Sequence, residues 1–170
     1  MSRLLVLSAG PLGEVRSFQA DLAEPLALAL GWSWNGLWAG LEPSDLPNEQ
    51  LALLQAQPES GSAAAGAGEL VGLPLDPGLL LPSGGHWAEA LGAWRQPVLL
   101  VLSAAQCQSG LPAAMTALLM QWQVPLVGLV QWGEPWEPEL RRADGLPWLG
   151  NGPAESLRSA FGLALRSRLD

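Results

Sequence analysis

Three runs in this chain are apolar on both of the faces that a strand would present: Leu4–Ser8, Pro97–Ser103 and Val124–Gln131. A strand of that kind must be covered on both sides, and helices packed on the two faces of a parallel sheet are the usual cover. Between the runs the apolar period lengthens to that of a helix. Phe18, Leu22 and Leu26 show it first, the stretch Leu111–Trp122 next, and Leu157, Phe161 and Leu165 last. The alternation predicts one α/β domain over residues 1–170, built in three layers. Its sheet should be mostly parallel, with roughly five to seven strands and the three apolar runs at the centre.

The shorter elements follow from local signals. Trp32 and Trp34 read as a second strand stopped by Asn35-Gly36. Glu49–Gln57, His86–Trp94 and Glu137–Ala143 read as short helices, and Glu69–Leu73 and Leu146–Leu149 as short strands. Pro153–Leu169 closes the chain as a helix. The first helix is predicted from Ser17, with a kink or break near Glu24 because Pro25 cannot donate a backbone hydrogen bond. Residues 58–68 are rich in Gly, Ala and Ser and offer little apolar area against the entropy of ordering, which predicts a mobile loop.

Composition removes several classes of function. Apolar residues make up 49% of the chain, yet no stretch reaches the length of a membrane span. Leu4–Leu7 is short for a signal-peptide core. A single cysteine, Cys107, cannot form an intrachain disulfide and fits a reducing, cytoplasmic setting. Eight arginines, no lysine and sixteen acids give a net charge of −8, which would repel a nucleic-acid backbone. Arg158, Arg166 and Arg168 gather near the carboxyl end, where a last helical turn favours cations.

The strongest motif follows the first apolar run: Gly10-Pro11-Leu12-Gly13-Glu14-Val15-Arg16-Ser17. A phosphate loop has the pattern G-x-x-x-x-G-K-[ST] between a strand and a helix. It aims backbone N–H groups at phosphate oxygens, while its lysine reaches the terminal phosphates and its hydroxyl holds magnesium. Gly10 and Ser17 fit that pattern; Val15 replaces the second glycine and Arg16 the lysine. Pro11 removes a donor, and Glu14 puts negative charge where an anion would sit. Three readings stay open: a degenerate phosphate loop, an ordinary strand–turn–helix, and a working loop. The candidate nucleotide-binding residues are Gly10, Gly13, Arg16 and Ser17, with ATP and magnesium as cofactors only if the loop works.

Other chemistry-bearing residues are sparse. With one histidine and one cysteine, a His/Cys metal site is not expected. His86 has Ser83 and Asp76 nearby in sequence, but there is no Gly-x-Ser-x-Gly elbow, so it reads as a loop or helix-start residue. Cys107 follows a buried strand and reads as an inert thiol. Glu134, Glu137 and Glu139 read as a solvated helix start. Nine tryptophans stand beside two phenylalanines. Trp122 and Trp148 read as core, whereas Trp32, Trp34 and Trp38 are candidate interface residues, because tryptophan is enriched at protein contacts.

The chain resembles dethiobiotin synthetase, a phosphate-loop enzyme that uses ATP and carbon dioxide to close a ureido ring. The similarity is best over Gly78–Gly150. Gly78-Leu79-Leu80-Leu81-Pro82 is similar to the family's glycine-ended segment, Pro97–Ser103 to its central strand, and Val124–Gly128 to the strand after the next helix. Leu146–Gly150 is similar to its late strand, and Asn35–Leu41 lies over its second lysine motif. The resemblance implies a phosphate-loop α/β fold. It also implies lost chemistry, position by position. The loop lysine falls on Arg16, the second lysine on Asn35, and the hydroxyl residue after it on Ala39. The family's acid falls on Pro74, its Asn-His pair on Gly110 and Leu111, and its base-reading asparagine near Gln131. Ser17 alone is kept. The expected function is therefore a catalytically degenerate dethiobiotin-synthetase-like protein that acts by binding, as a homodimer or as a subunit of an assembly. The alternatives are a divergent ATP-dependent ligase using Arg16 and Ser17, and an interaction scaffold using the tryptophan-rich loops.

Overall fold

Among the described residues every strand joins one sheet, and all of them run parallel. A computed structural model describes residues 3–38, 41–42, 44–57, 68–153 and 155–169. The strands are β1 (Arg3–Leu7), β2 (Ser33–Leu37), β3 (Glu69–Gly72), β4 (Val98–Ser103), β5 (Leu126–Trp132) and β6 (Trp148–Gly152). Their order across the sheet is β2-β3-β1-β4-β5-β6. The three apolar runs of the sequence are thus β1, β4 and β5, and all three lie inside the sheet with neighbours on both sides.

Alternate residues feed two cores. Leu5, Leu7, Val98, Leu100 and Leu102 face one way, towards α2 (Pro47–Ala56), α3 (Trp87–Ala93) and α4 (Leu111–Gln121). Leu4, Val6, Leu99 and Val101 face the other way, towards α1 (Leu12–Leu30) and α6 (Glu155–Leu169). A further short helix, α5 (Pro138–Ala143), precedes β6. In β5 the alternation breaks. Leu126 and Leu129 belong to the first core, while Val127 and Val130 belong to the second. The pairing register with β4 shifts between Val98 and Leu99, so a bulge at Val127–Gly128 changes which face the next side chains meet. Gly128 is confined there by contact: a β-carbon on it would lie 2.5 Å from Leu149.

The first helix corrects the sequence reading. It begins at Leu12, not Ser17, and continues unbroken through Pro25 to Leu30. An interior proline costs about 3 kcal/mol or more. Leu22, Leu26 and Leu30 are buried by this helix, each worth about 1.5–3 kcal/mol, and their sum prevails. Gly31 ends the helix at φ +72, with its N–H directed to the carbonyls of Ala27 and Leu28. From α6, Arg158 donates to the carbonyls of Leu28 (2.6 Å) and Ala29 (3.3 Å). This arginine therefore serves the end of another helix, not the last turn of its own.

The amino edge of the sheet carries an enclosed ion pair. Arg3 and Glu69 stand opposite each other in the β1–β3 register, with Nε to Oε2 at 2.7 Å. Their side chains are 11% and 7% exposed, and Arg3 also donates to the Leu54 carbonyl. The last strand is displaced from its expected place, running from Trp148 to Gly152 where Leu146–Leu149 was expected. Of the expected loop at 58–68, residues 58–67 lie outside the described residues, as does Ala39. Gly68 is described: it is buried and directly beneath the Trp32 ring, where a β-carbon would lie 2.5 Å from the ring atoms.

Candidate functional site at the carboxyl edge of the sheet

Chain order in the sheet reverses between β1 and β4, because β3 and β2 extend to one side and β5 and β6 to the other. In an open parallel sheet, the crevice beyond such a switch point is where ligands gather. Here it is bounded by the loop Ser8–Pro11 after β1 and by the turn after β4, Ser103–Gln108.

Both neighbours hold the end of β1. Gly10 sits at φ +127, a conformation that glycine adopts without strain. Its N–H donates to Oδ2 of Asp76 at 2.7 Å, and the other oxygen of Asp76 accepts from the Gly78 N–H at 2.8 Å. On the opposite side, the Gln106 side-chain amide donates to the Ala9 carbonyl at 2.6 Å. Gln106 Oε1 in turn accepts from the Ser103 N–H at 2.9 Å. Below this point, buried Gln19 of α1 donates to the Val6 carbonyl and to the Ser8 hydroxyl.

The four residues of the proposed phosphate loop are not gathered into a cradle. Gly10 lies in the loop, but Gly13, Arg16 and Ser17 lie on α1, whose cap is Pro11. At 1.5 Å per residue, Ser17 is about 7 Å along the helix from its first residue. Ser17 is exposed. Arg16 turns to the segment after β2, donating to the Leu41 carbonyl (2.8 Å) and pairing with Glu42 (3.3 Å). The amide of Gly10, which would face an anion, faces a carboxylate of the same chain.

A second polar group closes the ends of β5 and β6. Gln131, fully buried, accepts from Nε (3.3 Å) and Nη2 (2.9 Å) of Arg141 and donates to the carbonyls of Gly133 and Pro135. The guanidinium of Arg141 lies 4.9 Å above the Trp148 ring, a cation–π contact. The Trp148 indole donates to Asp144 at 2.9 Å, and Trp136 packs edge-on to Trp148. Burial pushes the Cys107 thiol up to about 11; Arg141 works against that shift and Asp144 adds to it. The thiol is neutral at physiological pH and unsuited to nucleophilic attack.

The remaining candidates are occupied with structure. His86 starts α3 without a capping hydrogen bond and packs edge-on to Trp122. Asp76 is engaged with backbone amides, so no hydrogen-bonded His86–Asp76 pair forms. Glu134 bonds Asn151 and the Trp136 N–H, and Glu139 pairs with Arg142. Among the described residues, no group of three His, Cys, Asp or Glu side chains could hold a metal ion. Of the candidate interface tryptophans, Trp38 is 8% exposed and packs on Trp87 inside the first core, so it is corrected to a core residue. Trp32 is half-buried edge-on to Phe161, and Trp34 is half-buried against the second core.

Sequence reading missed Gln106 and Arg141. A polar residue just past the best strand, at a switch point, was the available signal for Gln106. For Arg141, the signal was the single polar side chain, Gln131, near the end of an otherwise apolar strand. No family model matches the chain, and no curated protein matches it. Among the described residues, no helix is long and apolar enough to cross a membrane.

Proposed function

We propose that this chain is a catalytically degenerate protein of the dethiobiotin-synthetase type, with a phosphate-loop ancestry, and that it acts by binding without turnover. One observation carries the reading: the Gly10 amide at the head of the loop is bonded to the chain's own Asp76. A phosphate arriving there would have to displace a carboxylate and then meet Glu14 beside it. The arginine in the lysine position supports the same view, since Arg16 is held by Leu41 and Glu42. Transfer of a phosphoryl group needs preorganised positive charge on its equatorial oxygens. In this reading the chain works in the cytoplasm as a subunit of an assembly, consistent with its single free, buried cysteine.

The test is calorimetric titration of the whole chain with magnesium-ATP at millimolar concentration. No heat of binding is the expected result. Saturable binding that disappears in Arg16→Ala would overturn the reading in favour of an active ATP-dependent ligase.

A further inference from the structure

Beside the Gly10–Asp76 contact a groove of about 480 Å³ runs between the start of α1, the loop after β3 and the exposed side of α4. Its walls are Pro11, Leu79, Ala114, Met115 and Leu118, with Asp76 at one end. The carboxylate and the apolar wall are adjacent. A β-carbon on Gly78 would lie 3.0 Å from a Leu118 methyl and 3.3 Å from Oδ1 of Asp76. Each Asp76 oxygen accepts one backbone N–H, and a carboxylate oxygen has room for a second donor. Glu14 adds a second acid on the Gly10 side.

Neither acid at this end has an ion-pair partner among the described residues. Among the described residues, the ion pairs are Arg3–Glu69, Arg16–Glu42, Arg141–Asp144 and Arg142–Glu139; none involves Asp76 or Glu14. The apolar surface also extends past the groove itself, for Leu79 is 41% exposed and Leu80, next in the chain, is 72% exposed. Leu80, outside the groove and beside its wall residue Leu79, continues the apolar surface past what a small ligand seated there would cover. Such a surface suits a macromolecular contact.

We propose that this groove docks a partner protein through a segment presenting one arginine or lysine flanked by apolar side chains. The cation pairs with Asp76 and is steered by Glu14, while its apolar neighbours pack on Leu79, Leu118 and Ala114. A net charge of −8 makes two copies of this chain repel each other and favours a cationic partner protein over a second copy. The inference rests on the reading that the chain acts by binding.

The probe is an amphipathic peptide of about twelve residues with leucines at helical spacing and one central arginine. It is titrated into the whole ¹⁵N-labelled chain, beside the same peptide with glutamate for arginine and beside hexylammonium alone. Saturable shifts centred on Gly10, Gly78, Leu79 and Ala114 are expected with the arginine peptide only. Affinity should fall about tenfold or more in Asp76→Asn and in Leu79→Ser. Leu79 is exposed, so Leu79→Ser keeps the fold and gives an answer even if Asp76→Asn loosens the loop. Shifts elsewhere, no saturation, unchanged affinity in Leu79→Ser, or equal binding of hexylammonium would each overturn the proposal. Saturable magnesium-ATP binding that is lost in Arg16→Ala would overturn the underlying reading, whereas a silent ATP titration with a failed peptide titration overturns the groove alone.

Discussion

The side-chain amide of Gln106 spans the gap between β1 and β4 and ends on the carbonyl of Ala9, 2.6 Å away. That gap is where a parallel sheet of this topology opens for a ligand. One residue from the turn after β4 thus joins the two strand ends, while its Oε1 fixes the Ser103 amide. Gln106→Ala should lower stability in urea by about 0.5–1.5 kcal/mol, the net worth of a typical hydrogen bond. It should also speed hydrogen exchange at the Ser103 amide. Gln106→Glu should do more damage, because a carboxylate facing the Ala9 carbonyl cannot donate to it.

The Arg3–Glu69 pair makes a prediction that separates breaking a pair from replacing one. Arg3→Met leaves Glu69 enclosed without its partner and should cost about 3–5 kcal/mol. The double variant Arg3→Met with Glu69→Leu removes both charges and should recover most of that loss. Chemical denaturation of the two variants and of Glu69→Leu alone completes the cycle. A double variant no more stable than Arg3→Met would contradict it.

Cys107 sets a pH dependence whose direction is fixed by its burial. Its folded-state value near 11 lies above that of an unfolded thiol, so the folded chain keeps a proton that the unfolded chain releases. The contribution is constant below about pH 8.5 and falls as pH rises towards 11. Cys107→Ser, or a Cys107→Ala variant where the hydroxyl is poorly placed, should flatten that alkaline decline. At pH 8 the native thiol should react with a disulfide reagent only as fast as the chain unfolds.

Gly92 of α3 meets the backbone of Trp122: a β-carbon there would lie 1.8 Å from the Trp122 carbonyl oxygen. Backbone cannot rotate away as a side chain can. Gly92→Ala should therefore exceed the usual overpacking cost of about 1–3 kcal/mol. A melting temperature lower by about 6 °C or more is the measurable outcome. Gly13→Ala, with nothing within 4 Å of its new β-carbon and a helical backbone, should leave it unchanged or raise it.

How much of this was legible depended on range. Leu4–Leu7 and Leu99–Leu102 announce central strands because burial on both faces leaves a continuous apolar run, a local record of a global position. The bulge in β5 left one weak record, Gly128 inside the strand, because the apolar residues around it read the same with or without a change of face. The start of α1 was misplaced for a related reason. Residues Gly10–Ser17 resemble a loop motif, whereas the structure starts the helix at Leu12 and buries Val15 on it. Asp76 and Gly10 are 66 positions apart, and Gln106 and Ala9 are 97 apart. Contacts at that separation depend on strand order, which periodicity does not encode. Trp38 was legible as tryptophan but not as core, because its place against Trp87 is set by α3.

The double hold on β1 also bears on the thermodynamics of any encounter at this edge. With the Ala9 carbonyl and the Gly10 amide already bonded, the loop is ordered before a visitor arrives. An association there freezes little backbone, so its entropy cost is that of the two bodies and of the incoming segment. Its heat-capacity change should then scale with the apolar area covered, without the larger decrement of coupled folding. Such a surface is a rigid template, and tuning of affinity falls to the visitor's sequence and to the rate at which it leaves.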